Sequence, residues 1–335
     1  MTHFITINND FRITGGALAN YVTGLGTGTD PGTNEPAIWV PAYSDLRWAV
    51  YAQADYKLFS RLKLIAGAQY NKTPGVDGNF VPRAGAVLNI TSSFGLKALY
   101  GQAFKSAAQS EKFTLIPNSN YGNPQLKPEN VATTDIQLFF QNKSFQASAG
   151  YFRSDMKDIV VRIPYGNIAG AITYANLSQL KVSGWEAEAR ASLGKAFSLT
   201  GSFAYQTNEN SIGEKDITAI SNTMGKGGIM FSQGGLTIAL YNSFFSKPAD
   251  VINNQSALAA NKQRVIVNPV PDAFNILLAN VQANLTTIFK WKDAPAVSIN
   301  LYGDNLLDER VYNPEFSRRV INSLPARGGL LFMEA

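Results

Sequence analysis

Hydrophobic and polar residues alternate strictly between Lys181 and Gln206. In the first half of this stretch the small or aromatic residues and the charged residues occupy opposite faces: Trp185, Ala187 and Ala189 against Glu186, Glu188 and Arg190. Side chains in a strand change face at every residue, so this alternation predicts a β-hairpin with its turn at Gly194-Lys195. Soluble strands usually run about five or six residues, whereas a tilted strand that crosses a bilayer needs roughly nine to eleven. The length therefore favours a membrane β-barrel.

Similar segments follow one another along the whole chain. We predict about fifteen strands, at residues 2–8, 11–22, 46–57, 62–71, 81–90, 95–104, 131–141, 145–153, 181–193, 197–206, 224–232, 236–245, 274–289, 296–305 and 327–333. In every clear strand the Lys and Arg residues stay off the apolar face, as expected if that face meets lipid, where a cation at the midplane costs roughly 2–4 kcal/mol. The predicted fold class is an all-β, transmembrane antiparallel β-barrel.

The connections between these segments alternate in length. Short turns fall near residues 60, 92, 143, 194, 234 and 292, and long polar loops fill 72–80, 105–130, 154–180, 208–223, 246–272 and 306–326. Outer-membrane barrels have short periplasmic turns and longer extracellular loops, so this rhythm sets the sidedness of the strands. The Gly- and Pro-rich stretch 23–44 is also predicted to be a loop, because Gly and Pro interrupt strands.

Composition supports a barrel and offers little for catalysis. Charged residues make up 16% of the chain, against about 25% in soluble proteins, and no apolar run approaches the roughly 18 residues of a transmembrane helix. The chain has no cysteine, and its one histidine is His3 at the start of the chain. We therefore expect no enzyme activity, no catalytic residue, no metal and no cofactor. The net charge of +5 indicates a basic loop surface, and we expect no nucleic-acid partner.

Two acidic groups need an interpretation. Glu186 and Glu188 lie about 7 Å apart on one face by strand geometry, but Arg190 beside them favours a solvated ladder in the barrel lumen over acid/base chemistry. Acidic residues also cluster near the C-terminus: Asp304, Asp308, Glu309 and Glu315. Calcium prefers such oxygen ligands, yet the spacing is not that of an EF-hand. We expect turn closure by Asp304 and Asp308 instead.

Aromatic residues near the loops are the candidates for ligand contact. They are Trp39, Tyr43, Tyr121, Tyr165 and Tyr174. Such residues either bind a bulky substrate or lie at the membrane interface. With the lumen charges, the candidate substrate-binding set is Trp39, Tyr121, Tyr165, Tyr174, Glu186, Glu188 and Arg190. Aromatics at strand ends are predicted to form the interfacial girdle: Tyr56, Phe59, Tyr70, Phe140, Phe152, Phe244 and Phe245.

Several recognisable segments follow one another along the chain: LYGQAFKSA at 99–107 followed by NPQLKPE at 123–129, YANLSQLKVSGWEAE at 174–188, DNLLDERVY at 304–312, and Pro-Ala-Arg at 325–327. In this order they resemble the corresponding segments of TonB-dependent outer-membrane receptors. In NPQLKPE the two prolines stiffen the chain before a strand, which favours a structural role over ligand contact.

The resemblance implies part of a 22-stranded barrel in the outer membrane of a Gram-negative bacterium. Such a receptor takes up a bulky, scarce nutrient, such as a ferric siderophore or similar chelate, or an oligosaccharide. The energy comes from the TonB system through an N-terminal plug domain. Residues 1–335 are then expected to be the C-terminal part of the barrel, contacting membrane lipid, with the plug, the signal peptide and about seven strands lying before Met1.

An incomplete barrel raises an energetic problem that leaves two alternatives open. Unpaired strand edges cost several kcal/mol for each unsatisfied backbone group in hydrocarbon. The chain is then a fragment of a longer or split receptor, which by itself can be inactive. Alternatively, its strands close into a smaller passive porin of about fourteen strands.

Overall fold

A computed structural model describes residues 2–218, 220–248, 272–291, 295–314, 322–325 and 330–334. Its strands are β1 (Thr2–Thr6), β2 (Phe11–Thr29), β3 (Pro36–Phe59), β4 (Leu62–Lys72), β5 (Asn79–Asn89), β6 (Phe94–Lys105), β7 (Leu115–Ile116), β8 (Asn120–Tyr121), β9 (Glu129–Gln141), β10 (Phe145–Pro164), β11 (Ile172–Leu193), β12 (Phe197–Asn210), β13 (Thr223–Gln233), β14 (Leu236–Phe245), β15 (Phe274–Asn284), β16 (Ser298–Asp304), β17 (Tyr312–Pro314), β18 (Asn322–Pro325) and β19 (Leu330–Glu334). Two short helices are α1 (Gln109–Phe113) and α2 (Leu285–Ile288). Neither helix is long and apolar enough to cross a membrane, within the residues that the structure describes.

Fifteen of the described strands form one continuous antiparallel wall. β1 to β6 pair in chain order, β9 follows β6, β10 to β16 continue in order, and β19 pairs with β16. This confirms the predicted all-β meander. In the described part of the chain β1 and β19 are the two edges of the wall, so the sheet is a partial barrel and is not closed.

The register of the central hairpin confirms the two predicted faces. Trp185 lies opposite Tyr151 and Tyr205, and it is 59% exposed on the apolar side. Glu188 lies opposite Ser148 and Ser202 on the polar side. Because paired residues of neighbouring strands share a face, each register row carries one polarity across three strands.

Two of the predicted girdle residues lie on the opposite face from lipid. Phe152 pairs with Asp135 and Gly184, and it lines a cleft on the polar face beside Glu186. Phe245 lies two residues beyond Ser243, which pairs with Lys226 at a cleft on the polar face, so Phe245 shares that face and Phe244 does not. The predictions for Phe152 and Phe245 are therefore wrong, because position at a strand end does not determine the direction of a side chain.

The stretch 23–44 is not the loop that its glycines predict. β2 and β3 continue through most of it, leaving only the six residues between them as a turn. Gly24 pairs with Tyr43 and Gly26 with Val40, and a Cβ on either glycine would collide with the partner's side chain. The large partner covers the glycine, which compensates for the weak strand propensity of glycine.

The hairpin of β10 and β11 also extends further than predicted. Most of 154–180 is strand, and only the residues between Pro164 and Ile172 form a turn. The ladder shifts register between Met156 and Ile159, where Asp158 has a φ of 57°. This β-bulge interrupts the strict alternation, which is why a pattern of period two does not continue through it.

The strand predicted at 274–289 ends early, at Asn284. The Asn284 side chain accepts a hydrogen bond from the Thr287 amide (2.8 Å) and so caps α2. An apolar residue at 285 continued the alternating pattern, but the local cap decides the backbone conformation. Parts of four predicted elements lie outside the described residues: 249–271 of the loop 246–272, the centre of the turn near 292, 315–321 of the loop 306–326, and 327–329 of the last strand.

Asp55 connects three polar side chains on the polar face of the wall near the short turns. Lys63 Nζ lies 2.9 Å and Arg12 Nη2 3.4 Å from the carboxylate, and Gln53 Nε2 donates to it at 3.1 Å. Asp55 itself is only 6% exposed. Since its two cationic partners are about half exposed, solvent screening reduces the strength of both ion pairs.

We predict that Asp55→Asn lowers the free energy of unfolding by about 1–2 kcal/mol, because charge-assisted hydrogen bonds become neutral ones. The measurement is urea unfolding of the complete protein in bilayers. Asp77→Asn is the matched control, since Asp77 is exposed and lies in a loop. Equal unfolding midpoints for the two variants would contradict the assignment of Asp55 as an organising residue of the wall.

Candidate functional site

Residues 106–128, here called the inner strap, connect β6 to β9 and cross one face of the wall. At one end α1 and β7 contact β3, and at the other end β8 pairs with β11 through Asn120 and Ile172. β3 and β11 are separated by β4, β5, β6, β9 and β10 in the wall. A segment that touches both strands must lie across the concave side. The polar face that carries Asp45 and Asp55 therefore lines the lumen.

On the β3 side the inner strap is held by two polar side chains. Gln109 Nε2 donates to Asp45 Oδ2 at 2.6 Å, and Arg47 Nη2 lies 3.2 Å from the same oxygen. Lys112 is only 4% exposed and donates to the carbonyl oxygen of Gly75 at 3.1 Å. A buried ammonium is costly unless it is hydrogen-bonded, so this contact fixes the position of α1.

On the β11 side a single asparagine makes most of the connection. The Asn176 side chain accepts from the Lys127 amide (2.9 Å) and donates to the carbonyl oxygens of Lys127 (2.9 Å) and Asp158 (2.7 Å). Asn123 adds a donor to the Tyr174 carbonyl oxygen at 2.9 Å. These contacts lie within and beside NPQLKPE, and they agree with the structural role predicted for that segment.

Three of the predicted aromatic residues lie where the inner strap meets β10 and β11. Tyr121 and Tyr165 stack with ring centroids 4.0 Å apart, and the Tyr174 hydroxyl accepts from Asn120 Nδ2 at 3.1 Å. We call Tyr121, Tyr165 and Tyr174 the tyrosine cluster. Tyr165 is 39% exposed, whereas Tyr174 is 7% exposed. The Arg162 guanidinium lies 6.0 Å from the Tyr174 ring, which places a cation beside the aromatic surface.

Trp39 does not join the tyrosine cluster. Its ring lies against Gly28 on the neighbouring strand β2, and Tyr43 lies against Gly24 in the same hairpin. Both aromatics therefore cover glycines of the extended hairpin. The sequence could not separate this role from ligand contact, because cross-strand partners depend on a register that 23–44 does not reveal.

The predicted lumen charges line two clefts of the concave wall. Glu188 and Arg190 border a cleft of about 530 Å³ that also includes Gln141 and Lys226. Glu186 borders a smaller cleft of about 220 Å³, together with Lys97 and Asp135. Each cleft carries side chains of both charge signs. Lys97, Asp135 and Lys226 follow the same alternation as Glu188, so the sequence pattern could have predicted them as lumen residues. It could not have predicted Gln109 and Asn176, because their contacts join the inner strap to the wall.

The acidic cluster near the C-terminus shows no metal site in the described residues. In the described part of the chain, no three His, Cys, Asp or Glu side chains are placed so that they could hold a metal ion together. The turn after β16 is closed by Asn305, whose side chain accepts from the Glu309 amide and donates to the Glu309 carbonyl oxygen, both at 3.0 Å. The prediction that Asp304 and Asp308 close this turn is therefore wrong. Asn305 is 3% exposed and replaces them.

Fold and site together define a membrane β-barrel wall with a polar lumen and an inner strap. Residues 2–306 match the family described as TonB dependent receptor-like, beta-barrel, and the chain belongs to that family. The family consists of transport receptors of the Gram-negative outer membrane, so this is an outer-membrane chain.

The curated relatives align with this chain over only a part of their own length. The chain is 24% identical over 269 residues to heme/hemopexin utilization protein C of Haemophilus influenzae (strain 86-028NP), covering 72% of this chain and 35% of that protein. It is 26% identical over 187 residues to an iron-regulated outer membrane virulence protein of Vibrio cholerae, covering 51% and 28%. The chain thus spans about a third of the length of these relatives.

Solved structures share the fold at low identity. The siderophore receptor PirA of Acinetobacter baumannii superposes with a TM-score of 0.75 at 14% identity, covering 96% of this chain and 51% of that one. A mutant ferric enterobactin receptor (PfeA) of Pseudomonas aeruginosa in complex with enterobactin gives 0.74 at 13% identity, covering 99% and 52%. About half of each receptor chain therefore corresponds to this wall.

Proposed function

We propose that this chain forms part of the barrel of a receptor that takes up a bulky, scarce nutrient across the outer membrane. The observation that carries the proposal is the family match over residues 2–306. Relatives named for heme, iron or siderophores favour an iron-bearing ligand, a ferric siderophore or similar chelate. An oligosaccharide is the second ligand class that we consider.

The rest of the receptor is part of the same proposal. The wall has open edges at β1 and β19 within the described residues, and it corresponds to about half of each solved receptor chain. We propose that the remaining strands and a plug domain complete the lumen, and that the TonB system supplies energy through the plug. Unsatisfied edges in hydrocarbon make a lone, open wall unfavourable, which supports completion by further strands.

The tyrosine cluster and the clefts give the ligand a path from outside to lumen. We propose that the exposed ring of Tyr165 makes the first planar contact, with Arg162 attracting an anionic chelate. Further in, the wall around Glu188, Arg190 and Lys226 offers hydrogen-bond donors and acceptors of both charges. Binding and release are sufficient for this role, so the proposal needs no catalytic residue.

Ligand affinity tests the place of the tyrosine cluster. Tyr165→Ala is expected to weaken binding of the transported ligand about three- to tenfold, since an aromatic contact contributes about 0.5–1.5 kcal/mol. The measurement is equilibrium binding of ferric siderophore, haem or oligosaccharide to the complete receptor. Tyr205→Ala is the matched control, because Tyr205 lies on the lipid face beside Trp185. Equal affinities for both variants would remove Tyr165 from the ligand path.

Energy dependence tests the function itself. The complete receptor, expressed in a Gram-negative strain that lacks its own receptors, is expected to accumulate labelled ligand only while the inner membrane is energised. Collapse of the proton gradient should abolish uptake while surface binding persists. Uptake that continues without the gradient, together with small-solute conductance of the purified chain in liposomes, would instead establish the passive porin. Absence of both binding and conductance would establish an inactive fragment.

A further inference from the structure

The lipid face of β10, β11 and β12 carries an aromatic row near its upper end. Tyr151 and Trp185 have ring centroids 5.0 Å apart, and Tyr205 lies directly opposite Trp185. Tyr and Trp concentrate where the hydrocarbon meets the headgroups. With the short turns on the periplasmic side, this row marks the outer boundary of the hydrocarbon layer.

Directly beyond this row the same face becomes cationic. Arg153, Asp155 and Lys157 follow Tyr151 at alternate positions of β10, and Lys181 of β11 lies opposite Asp155. Arg153, Lys157 and Lys181 are all exposed. One carboxylate is therefore surrounded by three cations on the outer surface of the wall.

The carboxylate cancels only one of these charges. Arg153 binds Asp155 with two hydrogen bonds, from Nε at 2.9 Å and from Nη2 at 3.0 Å. This contact lowers the pKa of Asp155, with smaller contributions from Lys181 and Lys157, so the carboxylate is ionised at neutral pH. Glu209 of β12 lies opposite Lys181, and Lys215 lies opposite Glu209 in turn, so this neighbouring pair of opposite charges adds no net charge. Three cations and one carboxylate leave a net charge of +2.

The depth of the three cations matches the headgroup layer. Arg153 lies two residues beyond Tyr151 and Lys181 four residues before Trp185, which corresponds to about 7 and 13 Å along the strands. A strand tilted by about 45° rises roughly 5 to 9 Å over these lengths, and each headgroup layer is about 5–8 Å thick. The cations therefore stand at the level of the lipid phosphates, on the side of the wall away from the lumen.

We propose that Arg153, Lys157 and Lys181 form a binding site for the phosphate groups of outer-leaflet lipids. Basic residues at the membrane surface attract anionic headgroups, and Arg can bind a phosphate with two parallel hydrogen bonds. Trp185 and Tyr151 below them pack against the upper acyl chains of the same lipids. The site anchors the wall in its leaflet and is independent of the nutrient that the receptor takes up.

The test is lipid enrichment around the complete receptor in nanodiscs of phosphatidylcholine with a minor fraction of phosphatidylglycerol. Native mass spectrometry counts the phosphatidylglycerol molecules that remain bound. The triple variant Arg153→Gln, Lys157→Gln, Lys181→Gln is expected to lower this enrichment at least tenfold. The matched control is the triple variant Lys57→Gln, Lys143→Gln, Lys195→Gln, which removes the same charge at the end of the wall that carries the short turns. Its phosphatidylglycerol enrichment is expected to stay within twofold of the parent value.

Two further arms keep the outcome decisive. Lys181→Gln alone leaves both hydrogen bonds between Arg153 and Asp155 in place, so it controls for misfolding, and a severalfold loss of bound phosphatidylglycerol is expected. Inorganic phosphate at the concentration of the anionic lipid should not displace the bound lipid. Equal phosphatidylglycerol enrichment in the two triple variants would overturn the proposal. Displacement of the bound lipid by free phosphate would overturn the assignment of the site to lipid.

Discussion

Ala187→Arg is expected to reduce the equilibrium constant for folding of the complete receptor in a bilayer by roughly thirtyfold or more, whereas Glu188→Arg is expected to change it by less than about twofold. A cation that faces lipid at the midplane costs about 2–4 kcal/mol, and each 1.4 kcal/mol is a factor of ten. The two residues are neighbours in β11, so length, strand and depth are matched. Only the face differs.

The register accounts for this difference. Ala187 lies opposite Ala149 and Phe203, in a row of small and aromatic residues. Glu188 lies opposite Ser148 and Ser202, and it borders the wet cleft that contains Lys226. An arginine at 188 remains solvated in the lumen, where its long side chain can move away from Arg190 and Lys226.

Urea titration in liposomes, followed by tryptophan fluorescence and by heat-modifiable mobility on gels, measures both variants. Ala187→Leu is the control for side-chain size, and it should fold as the parent does. A destabilisation of similar size for Ala187→Arg and Glu188→Arg, or the reverse order, would invalidate the assignment of the faces.

Asn176→Ala is expected to release the inner strap from the β10–β11 hairpin. The substitution leaves the amide and carbonyl of Lys127 and the carbonyl of Asp158 without their side-chain partner. The two Lys127 groups are exposed to water and the Asp158 carbonyl is part-buried, so each lost hydrogen bond costs about 0.5–1.5 kcal/mol, and the three together cost at least the roughly 1.4 kcal/mol that equals a factor of ten. Amide hydrogen exchange of 123–129 should therefore become at least tenfold faster, while exchange in the centre of β11 stays unchanged.

Asn167→Ala provides the control for this experiment. Asn167 is exposed in the turn between β10 and β11, and its replacement should leave exchange of 123–129 at the parent rate. The release also predicts weaker ligand binding, since Asn120 and Tyr121 of the strap carry part of the tyrosine cluster. Exchange that is unchanged in Asn176→Ala would mean that NPQLKPE is held by its prolines and not by Asn176.

The sequence predicted the strands well because alternation is a local property. From Trp185 to Arg190 each residue reports its own face, whatever its partners are. The failures arose where a partner decides the structure. Gly24 and Gly26 remain in strands because Tyr43 and Val40 of the neighbouring strand cover them. The local sequence pattern does not predict these cross-strand contacts.

The candidate site shows the same division. Tyr121, Tyr165 and Tyr174 were recognisable as aromatics near loops, but the stacking of Tyr121 on Tyr165 and the hydrogen bond from Asn120 to Tyr174 depend on the path of the inner strap. Asn176 stands in the sequence as part of the segment that resembles the receptor family, yet its three backbone partners lie about 18 and 49 residues away. Contacts of that range are fixed by topology, which the alternation alone does not encode.

Cysteine scanning of residues 183–193 tests the two-faced wall most directly. The natural chain has no cysteine, so a spin label on each single-cysteine variant of the membrane-embedded receptor reports one position alone. Labels at 185, 187, 189 and 191 should collide with oxygen dissolved in lipid, and labels at 186, 188 and 190 with a water-soluble nickel chelate, giving a period of two. Labels that meet the same surroundings at consecutive positions, or that are shielded from both reagents throughout, would show that this hairpin does not separate lipid from water.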